Sequence, residues 1–269
     1  MNNAVFVLHP GTAPLLVSLP HAGTVIPDDL QPHYVPRALE LEDTDWHLVQ
    51  LYQFVLAMGA SLIAPHNSRY VVDLNRPSEN TPMYPGVNNT ELCPTRFFTG
   101  DPLYLDGHAP DAPEITRRVA TYWRPYHQAL ESELARLQAL HGHVVLFDGH
   151  SIKSQLPWLF EGRLPDLNIG TVNGASADAS ITNAVAAACA GAPGVTSIVN
   201  GRFKGGYITR HYGKPAGYVH AVQLEMCQST YMQEVAPYAY DGKLAQKIQP
   251  VIANMVGAAL QACKALYAR

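Results

Sequence analysis

Apolar and polar positions along the chain fall into two rhythms, and each predicts a type of element. Short apolar runs of strand length come first. Leu15 to Leu19 stops at Pro20, and Ser61 to Ala64, Val71 to Leu74, His143 to Phe147, Ser197 to Asn200 and Tyr218 to Leu224 follow. Such runs predict buried strands. Between them lie stretches with helical spacing. Asp43 to Met58 places Leu48, Leu51, Val55 and Met58 on one face and stops at Gly59. Ala112 to Leu140 does the same with Val119, Tyr122, Tyr126, Leu130, Leu134 and Leu137, and stops at Gly142. Pro125 inside that stretch predicts a kink or a break. Ile181 to Ala190 and Lys243 to Ala268 complete the helices. Strands alternating with helices predict an α/β fold: one domain over residues 1–269, with a mixed, mostly parallel sheet flanked by helices. Residues 77–111 break the rhythm. They are rich in Pro, Gly, Asn and Thr, and their aromatic residues (Tyr84, Phe97, Phe98, Tyr104) predict an ordered irregular excursion.

Composition narrows the function classes. Hydrophobic residues make up 47% of the 269 and charged residues only 15%, against about 25% in soluble domains. That much apolar material excludes a disordered chain. A pI near 6.3 argues against binding nucleic acid by phosphate neutralisation. No apolar run is long enough to predict a membrane span. Met1 to Pro14 lacks the basic start and apolar centre of a signal peptide. The four cysteines are far apart and form no CxxC pair, which predicts buried, reduced thiols and a cytoplasmic setting. The 18 basic residues comprise 12 Arg and 6 Lys, beside 12 His. Arginine suits bidentate binding of carboxylates, and histidine is the commonest metal ligand. The balance leans toward an enzyme for a small acidic molecule.

The strand ends carry the candidate chemistry, because ligands of parallel sheets bind beyond the carboxyl ends of the strands. One apolar run ends in Pro20-His21-Ala22-Gly23, another in Asp148-Gly149-His150-Ser151, and a third in Leu224-Glu225-Met226. Two neutral imidazoles and a carboxylate form a metal site with an open position for water. The acid comes from Glu42-Asp43-Thr44-Asp45: Asp45 is the expected ligand and Asp43 the runner-up. Acids at a helix start also favour the dipole, so part of this cluster has a purely structural explanation. Asp148 is either an acid that orients a ligand or a turn residue. Glu225, at the end of a buried run, is the candidate general base, its structural alternative being a salt bridge to an arginine. Arg69, Asn75 and Arg76 lie within eight positions, a fork for a carboxylate and a donor for an oxyanion. Asn200 to Gly213 is basic, glycine-rich and aromatic, with Arg202, Lys204 and Arg210, and reads as a loop that closes over an anionic substrate.

Together SLPHAG, EDTDWH, SRYVVDLNRP, LFDGHS and RFKGGYITRHYG followed by QLEM closely resemble the N-formylglutamate amidohydrolase family, from about Ser18 to Met226. The resemblance implies a zinc-exopeptidase (carboxypeptidase)-like fold, related to aspartoacylase. It implies hydrolysis of N-formyl-L-glutamate to formate and L-glutamate, the last step of one route of histidine degradation. It also implies one divalent metal ion, Zn2+, held by His21 and His150. The usual HxxE spacing is replaced, since Thr24 follows His21 by three, and Asp45 takes the acid's place. Glu225 then resembles the base and Arg69 the oxyanion-polarising arginine, while Asn75, Arg76 and Arg210 hold the substrate's carboxylates. The alternatives are a zinc hydrolase of another N-acyl amino acid or of a peptide C-terminus, and a non-catalytic binding protein for acidic metabolites.

Overall fold

The computed structural model describes residues 5–82 and 90–268. Tyr84 lies outside them. Seven strands form one sheet: β1 (Phe6–His9), β2 (Leu15–Ser18), β3 (Ser61–Pro65), β4 (Val144–Ile152), β5 (Leu167–Gly170), β6 (Ser197–Val199) and β7 (Val219–Cys227). Their order is β1-β3-β2-β4-β7-β5-β6. The central four, β3, β2, β4 and β7, are mutually parallel. At one edge β1 runs antiparallel to β3, and at the other the parallel pair β5–β6 runs antiparallel to β7. The sheet is therefore mixed and mostly parallel.

Side chains along β4 alternate between two cores. Val145 and Phe147 join Leu15 and Val17 of β2 and Val222 and Leu224 of β7 on one face. Val144 and Leu146 join Leu16, Ile63 and Ala221 on the other. Helices cover both. The first core packs on α1 (Leu48–Leu51), α2 (Phe54–Ala57), α5 (Ala179–Ala190) and α7 (Gly242–Leu266). α7 contributes Ile248, Ile252, Met255, Val256, Ala259 and Cys263, and its first turn is capped by Asp241, which accepts from the Lys243 and Leu244 amides. The second core packs on α4 (Arg124–His141) and takes Ile208 from α6 (Tyr207–Tyr212). Helix α3 (Ala112–Arg118) leads into α4 through a π-helical turn, Val119–Trp123. Pro125 has no N–H for the Thr121 carbonyl, so the α pattern cannot run through this point. Gly142 ends α4 with φ +76°.

Three expected elements differ. The stretch 43–58 is not one helix but the two short turns α1 and α2. His47, at φ 63°, precedes the first, and the Asp45 amide is tied to the His21 carbonyl at 3.1 Å. Residues 71–74 form turns instead of a strand, because Asp73 bonds Arg69 at 2.7 Å and accepts from the Asn75 amide at 2.8 Å. Asp148-Gly149-His150-Ser151 is no turn: β4 continues through it to Ile152. Within the excursion Phe97, Phe98 and Tyr104 are buried, and all four cysteines are free and buried. Burial pushes the Cys227 thiol up to about 12. No helix among the described residues is long and apolar enough to cross a membrane.

Candidate active site

The period of two that builds the cores also builds the site. Asp148 and His150 continue the face of Leu146, and their partners in register on β7 are Gln223 and Glu225. Four polar side chains thus project from adjacent parallel strands, near their carboxyl ends, on the α4 side of the sheet. Gly149 between them points to the opposite face, where a Cβ would lie 2.7 Å from Leu19 Cδ2 and 3.1 Å from the Tyr52 ring. Only glycine lets the strand pass that close.

His21 arrives just after β2. Its Nε2 meets Asp73 Oδ1 at 2.7 Å, and the Nε2 of His150 meets Asp148 Oδ2 at 3.0 Å. A carboxylate accepts, so both Nε2 atoms donate, and in the neutral rings that a cation would bind both Nδ1 atoms are left with the lone pair. These Nδ1 atoms are 3.2 Å apart and lie 3.8 and 3.4 Å from Asp45 Oδ2. Three ligands at about 2.0–2.1 Å in a tetrahedron stand roughly 3.3–3.4 Å from one another. The group His21, Asp45, His150 is therefore close to the size a small divalent cation needs, and all three are buried. Asp45 Oδ1 and Asp148 Oδ1 are buried without a hydrogen-bond partner among the described residues. Charge tells the same story. Burial works against the His150 cation, yet Asp148, Asp45 and Glu225 outweigh it and hold this imidazole well above its ordinary value. The cluster is short of positive charge, and a cation fits it.

Asp43 is elsewhere. Its Oδ2 accepts from Tyr70 Oη and from the Phe98 amide, both at 2.9 Å, which anchors the excursion to the site wall. Neither acid caps α1, so the helix-dipole explanation of this cluster falls away.

Glu225 lines the same cavity as His21 and His150. Among the described residues no arginine, lysine or histidine forms an ion pair with it, which removes the salt-bridge alternative. Burial is the main cause of a pKa raised to about 8, with the Asp45 charge adding to it and His150 opposing. Arg69 is buried beside His21, its Nη1 at 3.2 Å from Nδ1, and its guanidinium lies 4.5 Å from the Phe98 ring centre. Burial would raise the Asp73 carboxyl, but His21 and Arg69 hold it well below the usual range.

Asn75 and Arg76 reach the cavity too. The Asn75 Oδ1 accepts from the Ile208 amide at 2.8 Å, and its Nδ2 sits 3.1 Å from His150 Nε2. Gly206 closes over this amide so tightly that a Cβ there would overlap it. Arg76 donates to the Thr90 carbonyl and hydroxyl and to the Asn75 carbonyl. The carbonyls of this segment are held from α4 and the π-helical turn before it: His127 Nε2 meets the Leu74 carbonyl and Trp123 Nε1 the Arg76 carbonyl, each at 2.9 Å.

Arg210 is not brought in. It is exposed on α6, donates from Nε to the Gly205 carbonyl at 2.9 Å, and does not line the cavity. Arg202 lines it instead, with Phe203 and Gly206. The loop is bonded down at two points: Val172 donates to the Lys204 carbonyl at 2.6 Å and Gly206 to Gln223 Oε1 at 2.7 Å. Asp73 is the residue that sequence reasoning passed over. Its only sequence signal was an acid four positions after Arg69 in a charge-poor chain.

The N-formylglutamate amidohydrolase family model matches residues 13–232. A protein of Pseudomonas putida named N-formylglutamate deformylase is 48% identical over 256 residues, 95% of this chain and 96% of that one. One of the same name from Pseudomonas aeruginosa is 50% identical over 91% of this chain and 92% of its own. A crystal structure titled N-formylglutamate amidohydrolase from Ralstonia eutropha JMP134 superposes with a TM-score of 0.80 at 23% identity, covering 97% of this chain and 98% of that one. A gene product of Agrobacterium tumefaciens follows at 0.73 and 20%, covering 96% of this chain and 95% of its own. These two share the fold. With nearly half of its residues identical to the Pseudomonas proteins over almost its full length, and the family pattern spanning every strand from β2 to β7, the chain belongs to the N-formylglutamate amidohydrolase family.

Proposed function

We propose that this protein is a zinc-dependent amidohydrolase that converts N-formyl-L-glutamate and water to formate and L-glutamate. One observation carries the reading: the two histidines of a cation-sized His21, Asp45, His150 group line a cavity with Glu225 and arginines, in a chain whose relatives are named for this deformylation. The donor set of two imidazole nitrogens and a carboxylate oxygen suits zinc. A zinc ion bound there supplies Lewis acidity and makes water acidic enough to ionise near pH 7.

The protein's own groups do the rest. Asp73 and Asp148 fix the imidazole tautomers so that both Nδ1 atoms face Asp45. Glu225 takes the proton of the attacking water and returns it to the departing amine nitrogen. In its ionised form Glu225 is the acceptor, and the burial that raises its pKa strengthens it as a base for that proton. Arg69, held by Asp73, stabilises the oxyanion that develops on the formyl group. Asn75 and Arg76 hold the α-carboxylate. In the cell this reaction closes one route of histidine degradation, in the cytoplasm.

Formate release tests the reading. N-formyl-L-glutamate should be hydrolysed, a chelator should stop the reaction, and zinc should restore it. Faster release from N-acetyl-L-aspartate or a short peptide would assign the protein to a neighbouring specificity. Binding without turnover, indifferent to chelator, would make it a binding protein.

A further inference from the structure

Two histidines outside the active site meet at the end of the excursion. His33 closes a short helical turn, Gln31–His33, and His108 lies in the excursion. Their Nδ1 atoms are 3.0 Å apart, with ring centroids at 5.2 Å and planes tilted by 49°. They border a groove of about 560 Å³ that shares no lining residue with the active-site cavity. The backbone holds the pair in place. Leu105 donates to the His33 carbonyl at 2.9 Å, and His108 to the Leu105 carbonyl at 3.0 Å. Next to them the buried rings of Tyr34 and Tyr104 stack with centroids 4.4 Å apart, and Arg118 Nη1 donates to both hydroxyls. Two imidazoles on such a support lose little freedom when they take up a ligand.

In the neutral pair one Nδ1 donates to the other. Among the described residues nothing bonds either Nε2. Moving the donor ring's proton to its own Nε2, where water receives it, therefore breaks this one hydrogen bond and leaves both Nδ1 atoms with a lone pair. Two nitrogens bound at about 2.0–2.1 Å stand about 2.9–3.4 Å apart, from an octahedral to a tetrahedral ion. The observed separation lies inside that range. The charge of the groove also favours a cation. Its two arginines are committed, Arg117 to Asp29 and Glu114 and Arg118 to Glu114. Asp111, which caps α3 through the Glu114 amide, lines the groove as well and leaves it with an acid in excess.

We propose that His33 and His108 form a second metal site, in which the two Nδ1 atoms bind a divalent transition-metal ion and water fills the remaining positions. The ion clasps the end of the excursion to the Gln31–His33 turn. Imidazole nitrogens select zinc, copper or nickel over magnesium and calcium, which take oxygen ligands. The site is independent of the proposed reaction.

Equilibrium dialysis against Zn2+ at pH 7.5 tests it on the full chain. The wild type should hold one more ion per chain than His33→Ala and one more than His108→Ala. The difference reads this site alone, whatever the active-site group holds. Zn2+ should also raise the melting temperature of the wild type more than that of either variant. His66→Ala removes an exposed histidine elsewhere and should bind as the wild type does. Equal ion counts in wild type and both variants would overturn the proposal and leave the pair a hydrogen bond only. Loss of the ion in one variant but not the other would overturn it too, since a single imidazole would then suffice. An equal loss in His66→Ala would mark the binding as adventitious. With Mg2+ in place of Zn2+ no difference should appear; one of the same size would assign the ion to the acids and overturn the proposal.

Discussion

Asp43 and Asp45 stand two positions apart and have separate work. Asp45 Oδ2 faces both imidazoles, while Asp43 Oδ2 holds Tyr70 and the Phe98 amide. Asp45→Asn should therefore cost the protein its metal, with content falling at least about tenfold by elemental analysis. Asp43→Asn should keep the metal. The reverse result would exchange the two assignments. Glu225→Gln should bind metal and substrate normally and lose about 10²–10⁴-fold in kcat. Near-normal turnover would remove Glu225 from the mechanism. His21, His150 and Glu225 could be picked out of the sequence because each follows an apolar run, and the ends of parallel strands converge. Asp73 could not. It reaches His21 only because a run that looked like a strand is turned, and what turns it is the ion pair with Arg69, a contact no periodicity records.

The α3–α4 helix shows how an element can serve a site it does not line. Its π-helical turn and the first turns of α4 present Trp123 and His127 to the 74–76 segment, their rings stacked at 3.8 Å between centroids. His127 Nε2 donates to the Leu74 carbonyl, so Nδ1 accepts from Tyr212 Oη at 2.9 Å. Burial pushes this imidazole down to about 3 from 6.5. A depressed folded-state pKa means that the residue stabilises the fold fully above pH 6.5, and that this contribution is lost as pH falls toward 3. His127→Phe keeps the stacking and leaves the Leu74 carbonyl unpaired. It should cost about 1–3 kcal/mol at neutral pH, make the loss of stability below pH 6.5 shallower, and raise KM more than it lowers kcat. Denaturant titrations across that pH range, with steady-state kinetics, check all three; an unchanged KM would detach the clamp from Asn75 and Arg76. Pro125 pointed to an irregularity here from sequence alone. That the irregularity serves Asn75 and Arg76 could be seen only once α4 was packed on the sheet.

For the whole molecule, charge is the constraint. Asp45, Asp73, Asp148 and Glu225 are all buried around one centre, with Arg69 the one buried arginine among them. Removing a bound cation should destabilise the fold. At a metal concentration of about 100 times Kd the linkage is about 2.7 kcal/mol, or roughly 5–10 °C in Tm for a chain of this size. Melting curves that coincide with and without chelator would refute a resident metal. Strand order, strands β1 and β5 and the break at residues 43–58 were beyond the sequence pattern, because β1 and β5 are short and the 42–46 segment obeys the site instead of its own helical spacing.

The same arrangement orders events during synthesis. His21 and Asp45 leave the ribosome early, but His150 follows His21 by 129 residues, and Glu225 comes later still. At about 5–20 residues per second, the first histidine waits roughly 6–26 s for the second. A nascent chain meanwhile holds two of the three proposed ligands and no base. On the proposed function, metal capture would therefore wait for the pairing of β2 with β4, and activity for the arrival of β7. A product that stalls before His150 would lack both the third ligand and the proton acceptor of the proposed site, and one that stalls between His150 and Glu225 would lack the acceptor alone.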